Sequence, residues 1–74
     1  MPKLSPIRST KLLKILTKQG FTIVRQRGSH LRLEHLDGRK ITIPMHSGEN
    51  IGKGLLAKIL KDVQISIERF EKLR

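Results

Sequence analysis

The sequence predicts an α+β fold of the order α-β-β-β-α, in which two helices pack on one face of a three-stranded antiparallel sheet. Two segments carry apolar residues at helical spacing, and the segment between them alternates apolar and polar residues as strands do. Each helix has one apolar stripe and the sheet has one apolar face, so stacking them in two layers buries both. The length of 74 residues predicts one domain over 1–74 with a modest core.

Residues 1–8 contain two prolines and no periodicity, and they are predicted to be an irregular lead-in. The first helix is predicted to begin at Ser9 or Thr10, because either hydroxyl can accept a backbone N–H bond at a helix N-terminus. Its apolar stripe comprises Leu12, Leu13, Ile15 and Leu16. Gly20 is predicted to end the helix, because glycine readily adopts the left-handed conformation that follows many helix C-termini.

Three strands are expected after the helix, because β-branched and apolar residues there either cluster or alternate with polar ones. They are predicted over residues 21–27, 29–35 and 39–44. Gly28 marks the turn between the first two. In the first strand either Phe21 and Ile23 or Thr22 and Val24 can point inward, so the pattern does not decide which side of this strand is buried.

The alternating pattern also predicts the register of the second hairpin. A two-residue turn would put Leu33 opposite Thr42 and spoil the apolar face. A three-residue loop over 36–38, with Gly38 left-handed, puts Leu33 opposite Ile41 and is preferred. The remaining pairs in that register are Leu31 with Ile43, Glu34 with Lys40 and His30 with Pro44. Because proline cannot donate to a ladder, the third strand is predicted to be a sheet edge.

The second helix is predicted to run from Lys53 or Gly54 to Asp62. Its apolar stripe comprises Leu55, Leu56, Ile59, Leu60 and Val63. A short final helix is expected to begin after Ser66, whose hydroxyl can cap it, and to run through Phe70.

The chain carries a formal net charge of +10, and this charge is unevenly distributed. Eight of the 16 lysine and arginine residues precede the first acidic residue, Glu34. Such a surface is typical of proteins that bind the phosphate backbone of nucleic acid, although a solvated surface without a partner is the alternative. Two phenylalanines are the whole aromatic content, so base-stacking platforms of the RRM or OB type are not expected.

Composition also bears on cofactors and location. Without cysteine the chain has neither a disulfide nor a cysteine-ligated zinc site. No apolar run approaches the roughly 20 residues of a membrane span, and the first residues lack the apolar stretch of a secretory signal, so a cytoplasmic protein without a membrane partner is expected. The histidines and acids match no metal-ligand spacing, and glycine-rich residues 48–54 lack P-loop spacing. No metal or small-molecule cofactor is therefore expected.

His30 is the strongest candidate for chemistry. It shares the polar side of its strand with Arg32 and Glu34, so it is predicted to point from the open face of the sheet. Histidine has an unperturbed pKa of about 6.5, which suits proton transfer near neutral pH. An imidazole that removes the proton of a ribose 2′-hydroxyl lets that oxygen attack the adjacent phosphorus of RNA without a metal ion. A surface histidine without a role is the alternative.

Cationic residues are expected around this histidine. Those predicted to bind RNA phosphates are Arg25, Arg27, Arg32, Lys40 and Lys53. The three arginines flank the histidine in sequence, Lys40 shares its face, and Lys53 lies in a glycine-rich helix start of the kind that attracts phosphate. Gly28 and Gly38 are predicted to be structural turn residues.

The other two histidines have different expectations. His46 points to the same side of the chain as Lys40 if the backbone stays extended. This predicts a second acid–base group near His30 in a supporting role. A histidine that orders its loop is the alternative. His35 has the parity of Leu33 and ends its strand, which favours a packing or surface role.

Four stretches occur together in an order that has a counterpart in a known family. They are residues 20–21, residues 25–30 with the Gly-Ser-His element, residues 41–46 with a Pro-x-His element, and residues 54–60. In this combination the chain resembles the HicA toxins, small mRNA interferases of bacterial and archaeal toxin–antitoxin pairs. The resemblance implies a fold like that of the double-stranded-RNA-binding domain, which agrees with the elements predicted above.

The same resemblance implies that His30 is the essential catalytic residue of a ribosome-independent endoribonuclease acting on mRNA. It also implies a HicB-type antitoxin protein that covers and blocks the toxin. The main hypothesis is therefore an RNA endonuclease toxin. The alternative is a non-catalytic RNA-binding module that uses the same basic face, and a ribosomal-type structural protein would explain the charge but not the outward histidine.

Overall fold

The computed structural model describes residues 4–45 and 50–74. The elements in these ranges are β1 (Ile7–Arg8), α1 (Ser9–Lys18), β2 (Thr22–Arg27), β3 (His30–Glu34), β4 (Lys40–Pro44), β5 (Asn50–Ile51), α2 (Lys53–Asp62) and α3 (Ile67–Leu73). Strands β2, β3 and β4 form one antiparallel sheet in that order, and β1 pairs with β5 separately. The predicted α+β class and three-stranded antiparallel sheet are confirmed. The β1–β5 pair is an addition, because two-residue strands are too short to show a period in the sequence.

The hydrophobic core lies between the helices and one face of the sheet. Its members on β3 and β4 are the alternate residues Leu31, Leu33, Ile41 and Ile43, and those on α1 and α2 are Leu12, Ile15, Leu16, Leu56, Ile59 and Leu60. One hydrophobic cluster extends from Ile7 to Phe70. The opposite face of β3 and β4 is open to solvent, as the alternation predicts.

The start of α1 differs from the prediction. Ser9 is buried and is the first helical residue, whereas Arg8 occupies the cap position with an extended backbone and no side-chain cap bond. The predicted hydroxyl cap at Ser9 or Thr10 is therefore wrong. The physical reason is that Arg8 pairs with Asn50 in the β1–β5 ladder, so the chain enters the helix directly from a strand.

Both long helices end with the same backbone arrangement. After α1, Gly20 adopts φ of +98°, and the Phe21 N–H donates to the Leu16 carbonyl at 3.1 Å, which confirms the predicted helix end. After α2 the residue in the left-handed conformation is Gln64, with φ of 59°, and the Ile65 N–H makes the matching bond. A side chain at this conformation is unfavourable because its Cβ approaches the following carbonyl oxygen.

We therefore expect Gln64→Gly to stabilise the protein by about 0.5–1 kcal/mol, since glycine removes the steric cost at positive φ but adds some unfolded-state entropy. Urea unfolding followed by circular dichroism measures the change. Gln64→Ala is the matched control, because it shortens the side chain and keeps the Cβ. Equal free energies of unfolding for the glycine and alanine variants would contradict this account of the helix end.

The hairpin between β3 and β4 has the predicted register. The cross-strand pairs are Leu33 with Ile41, Leu31 with Ile43, Glu34 with Lys40 and His30 with Pro44. Gly38 adopts φ of +98° in the loop, as its role as a turn residue requires. Within the described sheet β4 pairs with β3 alone, which confirms that it is an edge strand.

Strand β2 is the other edge, and every one of its residues is exposed. Both α1 and α2 contact β4, at the far side of the sheet, and this placement leaves β2 uncovered. Phe21, just before the strand, is buried, whereas Ile23 is 45% and Val24 is 51% exposed. A β-bulge between Ile23 and Arg25 interrupts the alternation. The sequence allowed two alternatives for the buried side of this strand, and neither is observed in full, because neither Phe21 with Ile23 nor Thr22 with Val24 is buried as a pair.

The last two helices agree with most of what the sequence predicts. Helix α2 begins and ends within the predicted bounds, but Leu55 is 43% exposed, so its place in the buried stripe is wrong. It lies at the margin of the stripe, beside a groove between α2 and β4. The Ser66 hydroxyl accepts from the Arg69 N–H at 3.1 Å, which confirms the predicted cap of α3. That helix continues past Phe70 to Leu73.

Candidate functional site

His30 is the first residue of β3 and is positioned by the tight turn before it. Gly28 has φ of +57°, as its predicted role in the turn requires, and the reversal over residues 28–29 pairs Arg27 with His30. On its other side His30 faces Pro44. Its side chain is exposed on the open face of the sheet, as its parity predicts.

The open face carries a groove of about 680 Å³ around this histidine. Its lining residues are Val24, Arg25, Arg27, His30, Arg32, Glu34 and Thr42. Three guanidinium groups against one carboxylate give the groove an excess of positive charge. An imidazole beside these cations is suited to proton transfer on an anionic substrate such as a phosphodiester.

Two of the arginines face each other across the ladder. Arg25 pairs with Arg32, and the bulge places Val24 as an extra residue beside them. Like charges directly opposite each other on a sheet are destabilising. An anion bound between the two guanidinium groups would offset this repulsion, and Arg is the residue whose planar donors match a phosphate best.

The position of Arg32 is restrained from the next strand. Its Nη1 donates to the Thr42 hydroxyl at 3.3 Å, across from β3 to β4. The guanidinium therefore lies over the middle of the open face, with Arg25 on one side and Thr42 on the other. Because the remaining N–H donors of Arg32 are not used in this bond, they are available to a ligand.

The structure gathers some of the predicted site residues and separates others. Arg25, Arg27 and Arg32 line the groove with His30. Lys40 shares the open face but lines a different groove, and Lys53 is the first residue of α2, outside both. The predicted supporting residue, His46, lies outside the residues that the structure describes.

Three groove residues were not predicted as part of the site. Glu34 and Thr42 share the parity of His30 in the predicted register, so the alternating pattern carried the signal that places them there. Val24 reaches the groove because of the β-bulge, and its position in an otherwise alternating strand gave no sign of this.

His35 is held in a separate, structural cluster. Its Nε2 lies 3.0 Å from the Gln19 carbonyl oxygen and so donates to it, while Nδ1 accepts from the Asp37 N–H at 3.1 Å. The ring also packs edge-on against Phe21. Hydrogen bonds from the Arg39 side chain and backbone hold the pKa of the Asp37 carboxyl below its ordinary value. Both ring nitrogens are therefore engaged in joining the hairpin loop to the end of α1, which confirms the packing role.

Neither a metal site nor a membrane-spanning helix is found among the described residues. In residues 4–45 and 50–74, no group of three or more histidine and acidic side chains is arranged to hold a metal ion. No helix in those ranges has both the length and the apolar character needed to cross a membrane.

The chain is similar to a known protein family. The family model described as "HicA toxin of bacterial toxin-antitoxin" matches residues 9–65, which is more than half of the chain. The matched range begins with α1 and contains the whole groove around His30, whereas α3 lies beyond it. No curated protein matches the chain.

Proposed function

Since the chain belongs to the HicA family of toxins from bacterial toxin–antitoxin systems, we propose that it acts as a metal-independent endoribonuclease that cleaves mRNA. The observation that supports this activity best is the exposed His30 imidazole in a groove with Arg25, Arg27 and Arg32. It combines a side chain that can accept and donate a proton with cations able to hold a phosphate. We propose His30 as the catalytic residue.

In the proposed reaction, His30 removes the proton of a ribose 2′-hydroxyl, and the oxygen attacks the adjacent phosphorus. The P–O5′ bond breaks as the new P–O2′ bond forms, leaving a 2′,3′-cyclic phosphate on one fragment. The leaving 5′ oxygen takes up a proton and becomes a hydroxyl, and we propose that His46 supports this protonation. No electrons are transferred, so no redox partner is required.

The arginines have a distinct part in this proposal. Negative charge builds on the non-bridging phosphate oxygens as the 2′ oxygen attacks, and preorganised donors stabilise it most when they are already in place. Arg32 meets this condition because its bond to Thr42 positions the guanidinium before substrate arrives. Arg25 and Arg27, on the exposed edge strand, are proposed to bind the neighbouring phosphates.

The partners follow from the same family assignment. We propose that a HicB-type antitoxin protein covers the groove and blocks access of RNA to His30. We also propose a cytoplasmic location, where the proposed substrate, mRNA, would be met. We further propose that residues 1–74 act as one domain, in keeping with the hydrophobic cluster that joins Ile7 to Phe70 in the described part of the chain.

Incubation of end-labelled RNA with the purified protein, with and without EDTA, tests the activity. We expect fragments ending in 2′,3′-cyclic phosphate and 5′-hydroxyl in both conditions, and no cleavage of RNA in which 2′-deoxy nucleotides replace the scissile positions. A His30→Ala preparation purified in parallel controls for contaminating nuclease. RNA that stays intact but binds the protein in a salt-sensitive manner would instead support the non-catalytic RNA-binding module.

A further inference from the structure

A second groove continues from the first and passes the β4 edge of the sheet. It has a volume of about 280 Å³ and is lined by residues of the open face, Lys40 and Thr42, and by residues of α2, including Lys58. Arg32 and Thr42 line both grooves, so the two meet at the Arg32–Thr42 hydrogen bond. A flexible chain lying in the first groove therefore has a direct path into the second.

The charge of the second groove favours an anion. Arg32, Lys40 and Lys58 contribute three cations against the single carboxylate of Asp62. Within the part of the chain that the structure describes, neither lysine lies within salt-bridge distance of a carboxylate. Both ammonium groups are therefore available to neutralise phosphates and release the counterions of a nucleic acid.

An apolar side chain lies among these cations. Leu55 is 43% exposed in the same groove, whereas its neighbours on the stripe, Leu56 and Ile59, are buried. A free phosphate has no apolar surface that an exposed leucine could contact, whereas a nucleotide presents a hydrophobic base next to its phosphate. The combination fits successive nucleotides of an RNA chain better than an isolated anion.

We infer that this groove is a second RNA-binding site, and that one single-stranded RNA runs from His30 across Arg32 and Thr42 to Lys40 and Lys58. The identity of the polyanion rests on the proposed function. A single strand is required, because the path turns past the β4 edge from the open face to α2 and a stiff duplex cannot follow it. Short RNA then occupies the first groove alone, and longer RNA gains affinity from the second.

The test compares two lengths of 2′-O-methyl RNA, which lacks the nucleophilic hydroxyl, so that binding is measured whether or not the protein is a nuclease. Oligonucleotides of about four and about twelve nucleotides span the range of common single-strand sites. For the Lys40→Ala/Lys58→Ala variant we expect about tenfold weaker binding of the longer RNA by fluorescence anisotropy, and a clearly smaller loss for the shorter one. The slope of log affinity against log salt should fall by about 1.4, the value for two phosphate contacts on a single strand.

The matched control is Lys18→Ala/Lys72→Ala, which removes the same charge from exposed positions that line neither groove. Affinity for the longer RNA unchanged in the Lys40/Lys58 variant, or equally reduced in the control, would overturn the inference. So would loss of antitoxin binding with RNA binding intact, because the groove would then be a protein site. If the length effect holds while unmodified RNA is never cleaved, the binding site stands and the nuclease proposal fails.

Discussion

Replacing His30 with alanine is expected to lower the rate of RNA cleavage by about 10²–10⁴-fold, because the variant lacks the group that takes the 2′-hydroxyl proton. The fold should be retained, since the side chain is exposed and substitutions at such positions usually change the free energy of unfolding by less than about 0.5 kcal/mol. Initial rates on labelled RNA measure the first effect and urea unfolding measures the second. Growth arrest on expression should be lost with the cleavage activity.

Thr22→Ala is the matched control for this substitution. Thr22 is an exposed residue of the neighbouring strand that pairs with Glu34, and it does not line the groove around His30. Its replacement should leave cleavage near the wild-type rate. A well-folded His30→Ala protein that cleaves RNA as fast as the wild type would refute the catalytic assignment, and retention of antitoxin binding would show that its surface is otherwise intact.

The largest effect on stability is expected at Phe70. Its ring is fully buried in the core cluster, and truncation of a buried phenylalanine to alanine typically costs about 3–5 kcal/mol. A domain of this size is stabilised by a modest core, so such a loss should leave a large fraction of Phe70→Ala unfolded. Urea unfolding with circular dichroism as the signal measures the change.

Phe70 lies beyond the range that the family model matches. Residues 66–74 nevertheless close the core, and Arg74 near the end of the chain donates to the Ser5 and Pro6 carbonyls. Lys72→Ala, at an exposed position of the same helix, is the control and should change stability little. A Phe70→Ala variant as stable as this control would show that α3 does not contribute to the folded unit.

Much of the fold was predictable because it depends on neighbours in the chain. The register of the β3–β4 hairpin follows from the alternation of Leu31 and Leu33 with polar residues and from a left-handed Gly38. Predictions failed where distant segments meet. The Ser9 cap is absent because β5 pairs with β1, and Leu55 is exposed because it lies at the groove between α2 and β4 and not in the core.

The candidate site, like the fold, was predictable only in part. The alternation of side chains along β3 correctly predicted that His30 and Arg32 lie on the open face. The same alternation in β3 and β4 also puts Glu34 and Thr42 on that face, although neither was predicted as a site residue. It gave no sign that Lys40 would line a different groove, because residues on one sheet face can still be several strand positions apart. The opposition of Arg25 and Arg32 depends on a bulge that alternation does not reveal.

By itself, the amino-acid sequence determined the order of the elements, the pairing of β3 with β4 and the outward direction of His30, since backbone alternation and turn geometry act between residues close along the chain. Three features became apparent only in the tertiary structure: the helices do not cover β2, three arginines converge on one groove, and this groove continues to Lys58. The exposure of β2 and the second groove depend on where α1 and α2 pack against the sheet, through contacts among residues far apart in the chain. The convergence of the arginines depends instead on the pairing of β2 with β3 and on the β-bulge in β2.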